Sequence, residues 1–274
     1  GTLDLNGHDL DGRDIDFNNN ERGFKRSGGL VNRDTSTTVT LSGDVVDFGS
    51  VVQSVAFGGP GDIILTGTID NDSGTGIDKV GTGTLTIRGT NNLSSSGTDL
   101  GNGTMVLDYL NGNGDLKLGN NGLSMRGSTL RIQGSSSSNE TVALTGLNLN
   151  EDNGKRGANN IELFSHGQDL TLNLGSITNR DMPLHFDIDE SGGGTAIINT
   201  TTTNQGISGT LSQDREFFYN KSNWAEVDGS GNVQAFTGLV SASTANDFET
   251  AAADSLIDIQ ADMTVDPDNT GDER

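Results

Sequence analysis

The feature that most constrains the fold of this chain is a pair of short alternating segments within residues 79–107. Leu85 and Ile87 share one face of the first segment, and Met105 and Leu107 share one face of the second. An alternation with a period of two residues predicts β-strands that have one buried face and one solvated face. Glycine and asparagine are concentrated at the ends of both segments, where the chain must turn.

The alternating segments recur at a spacing that is typical of repeat proteins. Gly-Thr pairs at Gly83 and Gly103 begin two segments 20 residues apart (103 − 83), and Gly127 begins a third after 24 residues (127 − 103). Periods in this range indicate a solenoid, in which each repeat forms one coil of the chain. Turns built on Asn-Gly pairs also make antiparallel hairpins, so a β-sandwich is the alternative architecture.

The first segment and its flanks carry a recognisable motif. Residues 79–91 read Lys-Val-Gly-Thr-Gly-Thr-Leu-Thr-Ile-Arg-Gly-Thr-Asn. They resemble the passenger-associated β-strand repeat of autotransporter proteins, which reads roughly Lys-x-Gly-x-Gly-Thr-Leu-x-Leu-x-Gly-x-Asn. Residues 97–98 and 103–105 match its continuation, whereas Leu93 stands where that family usually has tyrosine. The resemblance implies a right-handed parallel β-helix displayed outside a Gram-negative cell, and it brings no catalytic residues because the repeat is architectural.

We therefore predict an all-β fold, a right-handed parallel β-helix in which residues 1–274 form one elongated rod. At a strand spacing of about 4.8 Å, roughly ten coils would give a rod ~50 Å long. Residues 216–240 are rich in aromatic side chains and are predicted to form a loop insertion, and residues 262–274 an acidic tail. Because the chain opens within a strand-turn unit at Gly1, we expect it to be part of a longer precursor.

Charge and composition exclude several classes of partner. The net charge of −22 repels nucleic acid and anionic membrane surfaces and attracts cations such as Ca²⁺. The absence of cysteine excludes a disulfide scaffold and a thiolate metal site. No apolar run approaches the roughly 18 residues that a membrane-spanning helix needs, so no membrane insertion is predicted.

One strand concentrates residues that could support catalysis. His185, Asp187 and Asp189 point outward if Phe186 and Ile188 point inward. Pectinase-like β-helices carry acid pairs on such faces, often with Ca²⁺. The flanking residues lack pectinase and lyase motifs, and acid pairs at this spacing are expected by chance in a chain with 38 acidic residues. We predict that the protein is not an enzyme.

Other catalytic and cofactor motifs are incomplete. His8 and His166 lie in no His-x-x-x-His or Glu-x-x-His pattern, which argues against a zinc site. Residues 81–83 read Gly-Thr-Gly but lack the third glycine and the following helix of a phosphate-binding loop. The sequence contains no Gly-x-Ser-x-Gly nucleophile elbow.

Calcium is the one cofactor that the sequence indicates. The predicted ligands are Asp266, Asp268, Thr270 and Asp272, whose spacing resembles the first half of an EF-hand loop. Residues 58–62 resemble a toxin-repeat calcium turn with its aspartate one residue early. Acidic turns in an acidic protein are the plain alternative for both segments.

These observations predict a structural β-helix segment at a bacterial cell surface, serving as a stiff spacer, an adhesin rod or a subunit of a filament or layer. The expected partners are another copy bound end to end, the rest of a larger precursor, and surface glycans. The alternative is a carbohydrate-active β-helix enzyme, either a polysaccharide lyase or a glycoside hydrolase. A long groove lined with aromatic and acidic residues would favour the enzyme, and an even, polar lateral surface with threonine and asparagine ladders would favour the structural role.

Overall fold

The computed structural model describes residues 2–16, 29–46, 54–71, 76–89, 91–93, 97–111, 117–118, 121–149, 157–179, 182–204, 217–242 and 257–259. These residues form 27 β-strands and no helix. Accordingly, none of these segments provides a long apolar helix of the kind that crosses a membrane. The predicted all-β character is confirmed.

Two large sheets contain most of the strands. The ten-stranded sheet has the order β25 (Val233–Ala235), β24 (Asn223–Val227), β23 (Phe217–Tyr219), β21 (Leu184–Asp189), β18 (Asn159–Phe164), β15 (Ser128–Gln133), β13 (Gly103–Asp108), β10 (Thr84–Ile87), β7 (Ile63–Leu65) and β4 (Val39–Leu41). The eight-stranded sheet has the order β1 (Leu3–Asp4), β3 (Leu30–Val31), β6 (Ser54–Gly58), β9 (Gly76–Val80), β12 (Thr98–Leu100), β14 (Leu123–Met125), β17 (Gly146–Asn148) and β20 (Ser176–Thr178).

Three smaller sheets hold the other strands. The four-stranded sheet has the order β11 (Asn91–Leu93), β8 (Ile69–Asn71), β5 (Val45–Val46) and β2 (Ile15–Asp16). The three-stranded sheet consists of β16 (Glu140–Ala143), β19 (Leu170–Asn173) and β22 (Ala196–Asn199), and β26 (Val240–Ala242) pairs with β27 (Ile257–Ile259).

Consecutive strands along the chain lie in different sheets, and the chain then returns to the first sheet; we call each such circuit a pass. Strands β9, β10 and β11 lie in the eight-, ten- and four-stranded sheets, and the next pass returns to the first two of these sheets with β12 and β13. The pairs β9–β12, β8–β11 and β10–β13 are all parallel. This parallel order is compatible with a β-solenoid and disagrees with a sandwich built from antiparallel hairpins.

Parallel register stacks like residues into columns that form the core. One column of the ten-stranded sheet runs through Ile63, Leu85, Met105, Leu130, Ile161 and Phe186. Each of these side chains is at most 1% exposed. On β10, β15 and β18 the residues between the buried positions are half-buried and face outward, as the alternation predicted, whereas Val106 and Asp108 on β13 are buried as well.

Carboxylates placed just before strands connect neighbouring passes. Asp44 N donates to Asp14 Oδ1 at 2.9 Å, and Thr68 N donates in turn to Asp44 Oδ1 at 2.7 Å. Asp62 Oδ1 accepts a hydrogen bond from Thr84 N at 2.7 Å. Hydrogen bonds to ionised acceptors are stronger than neutral ones, so part of the acidity stabilises the stack.

Lys79, the first residue of the repeat motif, is buried beneath the turn that follows it. Its Nζ donates to the carbonyl oxygens of Val80 at 3.2 Å, Gly81 at 2.8 Å and Asn102 at 3.2 Å. Burial lowers the pKa of Lys79 to about 8, and the charge of Asp62 partly opposes that shift. The lysine therefore ties its own turn to the next pass of the chain.

The predicted loop insertion at 216–240 contains strands in its described part. Strand β23 extends the parallel stack beside β21, and β24 and β25 then follow as an antiparallel meander. Phe217, Ala225 and Val233 face the core and are at most 4% exposed. Thr200 N donates to Gly231 O at 2.9 Å, which connects the meander to the chain beyond β22. Aromatic residues here alternate in and out of a sheet, unlike those of a projecting loop.

Candidate functional site

The outer face of the ten-stranded sheet carries a pocket of about 420 Å³, which we call the outer-face pocket. It opens because β23 pairs with β21 only along residues 184–186, after which the chain turns away. The remainder of β21 therefore has no neighbouring strand on that side among the described residues. The pocket is lined by Arg131, Glu162, Phe164, Asp187, Ile188, Asp189, Asn220 and Lys221.

Register places three charged residues in one row across the floor of the pocket. Arg131, Glu162 and Asp187 are direct neighbours on β15, β18 and β21. Arg131 Nε donates to Glu162 Oε2 at 2.7 Å. The same guanidinium lies 5.4 Å from the centre of the Phe164 ring, a cation–π distance. These two contacts hold the Arg131 side chain against one wall.

The turn after β23 forms the opposite rim. Asn220 and Lys221 both have positive φ, at 47° and 68°, a conformation that lysine rarely adopts. Asn220 N donates to Phe186 O at 2.7 Å, and Asn220 Oδ1 accepts from Ile188 N at 2.8 Å. Asn220 thus supplies the partner that β21 lacks at this point, and it holds Lys221 beside the pocket. Backbone strain of this kind is concentrated at functional sites.

Asp187 places a buried carboxyl oxygen beside the pocket. Its Oδ1 atom is buried and has no hydrogen-bond partner among the described residues. Burial raises the pKa of the Asp187 carboxyl, and the nearby Glu162 adds to this rise, whereas Lys221 and His185 oppose it. A buried acceptor without a partner is costly, so a ligand that donates a hydrogen bond to this oxygen after rotation of the carboxyl would stabilise the site.

A row of aromatic side chains runs beside the pocket. The ring centres of His185 and Phe218 are 5.2 Å apart, and those of Phe218 and Trp224 are 5.3 Å apart. These three residues form what we call the aromatic row. His185 lies two residues from Asp187 on β21, so the row and the pocket share one face.

The sequence-predicted acids fall partly within this site. Asp187 and Asp189 line the pocket, whereas His185 belongs to the aromatic row. Asp189 Oδ1 accepts a hydrogen bond from Ser191 N at 2.8 Å, and the Ser191 side chain and backbone together lower the pKa of Asp189. Sequence reasoning missed Arg131, Glu162, Phe164 and the turn residues, which reach the pocket from other passes of the chain.

The predicted calcium ligands, Asp266, Asp268, Thr270 and Asp272, lie outside the described residues. Within the part of the chain that the structure describes, no group of three or more histidine or acidic side chains could hold a metal ion. In the turn at 58–62, one Asp62 oxygen accepts the Thr84 backbone hydrogen bond.

Comparisons with protein-family models, curated proteins and solved structures give no match for this chain. The roles of the pocket residues therefore follow from their own contacts, burial and charge. The pocket combines a row of charged side chains on its floor, the lysine Lys221 at its rim and aromatic rings beside it. This composition suits a ligand that has both polar groups and an apolar face.

Proposed function

We propose that the chain is a structural segment of a bacterial cell-surface protein, folded as a right-handed parallel β-helix that forms a single elongated rod. Its role is that of a stiff spacer, an adhesin rod or a subunit of a surface filament or layer. The observation that carries this proposal is the parallel, in-register stacking of successive passes around a continuous apolar column. The resemblance of residues 79–91 to the autotransporter repeat supports the surface location.

Polar side-chain hydrogen bonds between neighbouring passes add to the rigidity that such a role needs. Asn160 Nδ2 donates to Thr129 Oγ1 at 3.2 Å on the outer face of the ten-stranded sheet. Two further hydrogen bonds join asparagines of neighbouring passes: Asn199 to Asn173 at 3.0 Å, and Asn179 to Asn148 at 3.2 Å. Each pass in a solenoid contacts only its neighbours, so these bonds stiffen the contacts between the passes that they join.

We further propose that copies of the chain associate end to end and that Ca²⁺ promotes this association. A stack of coils exposes unpaired backbone groups at any uncovered end, and such edges recruit further strands. A head-to-tail contact that does not close produces a filament. With a net charge of −22 on each copy, divalent cations would reduce the repulsion between copies. Calcium bound at residues 266–272 would act in this way.

Light scattering and electron microscopy can test this assembly. We expect the scattering mass to rise when Ca²⁺ is added and to fall again with a chelator, and we expect unbranched filaments in the images. The double variant Asp266→Asn/Asp268→Asn should associate less, whereas Asp99→Asn, on the eight-stranded sheet, should behave like the parent chain. A stable monomer in every condition would contradict the assembly proposal.

A carbohydrate-active enzyme is the second candidate, because Glu162 and Asp187 form an acid pair in unlike environments. The Arg131 guanidinium lies against Glu162, while burial raises the pKa of Asp187. Pairs of carboxyls whose environments differ in this way serve as acid and nucleophile in glycosidases. This candidate ranks second because the residues that flank the acid pair carry no pectinase or lyase motif, and because one of the two Glu162 oxygens, Oε2, is held by Arg131 Nε at 2.7 Å.

We expect the purified chain to release no products from neutral or acidic polysaccharides. Reducing-end assays detect hydrolysis, and ultraviolet absorbance detects the unsaturated products of a lyase. Cleavage that disappears in Asp187→Asn but persists in Asp99→Asn would reverse the order of the two candidates.

A further inference from the structure

We propose that the outer-face pocket and the aromatic row together bind a neutral oligosaccharide. Glycan binding at this place extends the adhesive role proposed above and rests on it for its biological meaning. The location, the ligand class and the contributing residues follow from the charges, hydrogen-bonding groups and ring positions of the pocket itself.

The charges that line the pocket favour an uncharged ligand with many hydroxyl groups. Three carboxylates and two cationic side chains face the same small space. A polyanion would meet those carboxylates and the net charge of −22, and a polycation would meet Arg131 and Lys221. Hydroxyl groups both donate and accept hydrogen bonds, so they can satisfy neighbouring groups of either sign.

The hydrogen-bonding groups of the pocket match sugar hydroxyls. Asp187 Oδ1 is a buried acceptor without a partner among the described residues, and rotation of the carboxyl would bring it to a donor of the ligand. Arg131 directs Nε toward Glu162, and its side chain is 38% exposed, which leaves other guanidinium N–H groups accessible. The exposed Lys221 at the rim supplies another donor.

Aromatic rings give the site the apolar surfaces that sugar rings require. Phe164 lines the pocket, and Phe218 and Trp224 in the aromatic row are half-buried with part of each side chain accessible. The negative face of an aromatic ring attracts the weakly positive C–H groups of a pyranose. The aromatic row extends away from the pocket, with 5.2 Å between the ring centres of His185 and Phe218 and 5.3 Å between those of Phe218 and Trp224, so a ligand that covers both the pocket and the row has more than one sugar unit.

The platform that carries these groups is rigid. Its side chains come from β15, β18 and β21, which are paired in continuous parallel register, and from a turn fixed by Asn220. A preformed site avoids the cost of ordering side chains when a ligand binds. A single strand could not assemble this site, because the row of Arg131, Glu162 and Asp187 crosses three passes of the chain.

The fluorescence of Trp224, the only tryptophan, offers a direct readout. The probes are gluco-, manno- and galacto-oligosaccharides, with oligogalacturonate as the anionic comparison and oligoglucosamine as the cationic one. We expect saturable fluorescence changes with at least one neutral probe, with a Kd tighter than about 1 mM confirmed by calorimetry. Asp187→Asn and Phe164→Ala should each weaken binding about tenfold or more, while Asp99→Asn should leave it unchanged.

Several outcomes would overturn the proposal. These are the absence of binding by any neutral probe up to about 10 mM, stronger binding of the charged probes, and unchanged affinity in the two pocket variants. Thermal melting of each variant separates lost binding from lost structure. Absent binding in a chain that still associates with Ca²⁺ would reject only the glycan site, whereas binding by a chain that stays monomeric would reject only the assembly.

Discussion

Replacement of Leu85 by aspartate is expected to leave the chain unfolded or close to unfolding at room temperature. Leu85 is 1% exposed and is stacked between Ile63 and Met105 in the central column. A carboxylate there would be removed from water and packed between apolar side chains, so the expected loss is about 4 kcal/mol or more. Urea unfolding followed by circular dichroism measures the loss directly.

Thr86→Asp is the matched control, because Thr86 is the next residue on the same strand and faces outward. Its neighbours in the adjacent strands are Ile64 and Val106, and its side chain is half-buried at the sheet surface. We expect this variant to lose about 1 kcal/mol or less, since the new carboxylate stays hydrated. Equal losses in the two variants would show that the inward and outward faces have been assigned incorrectly.

The inward and outward faces of the strands could be predicted from the sequence, because they depend only on local alternation. Leu85, Ile87, Met105 and Leu107 are all buried as that alternation required. The repeat spacing predicted a solenoid, and the resemblance to the autotransporter repeat implied that its strands are parallel. Both features are encoded within one or two passes of the chain, which is why a single sequence is sufficient to predict them.

The candidate site could be predicted only in part, because it depends on register between distant passes. Arg131 and Glu162 are 31 residues apart, whereas the ion pair of Arg88 and Asp108 spans 20 residues. Because the passes differ in length, no fixed sequence separation identifies which outward-facing residues become neighbours, and such ion pairs cannot be predicted from the sequence. The outward direction of Asp187 could be predicted from the alternation within its own strand. Its proximity to Glu162 could not, because that depends on the register between two strands.

The burial of Lys79 also escaped prediction, although the residue opens the repeat motif. Lys79 lies on the same face of β9 as the buried Ile77 and is only 1% exposed. A charged residue in that position breaks the apolar pattern, and sequence patterns treat it as an outward residue. The turn carbonyls that accept its hydrogen bonds exist only once two passes have stacked.

Lys79→Met is expected to destabilise the fold by about 1–3 kcal/mol, because three carbonyl oxygens lose their hydrogen-bond donor. The loss should stay below the sum of three broken hydrogen bonds, since methionine also removes the cost of burying an ammonium group. Lys221→Met removes an exposed ammonium group and should change the free energy of unfolding by about 0.5 kcal/mol or less. Urea unfolding of the three proteins under one buffer condition measures these differences.

The pH dependence of the difference in unfolding free energy between the parent chain and Lys79→Met tests whether buried Lys79 is charged. Burial lowers the pKa of Lys79 from 10.5 to about 8, so between these values the unfolded chain holds a proton that the folded chain has released. Stability rises with pH wherever the unfolded state binds more protons. The advantage of the parent chain over Lys79→Met should therefore widen between about pH 8 and about pH 10. A constant or shrinking difference across that window would mean that the buried ammonium keeps its proton, held by the carbonyl oxygens of Val80, Gly81 and Asn102.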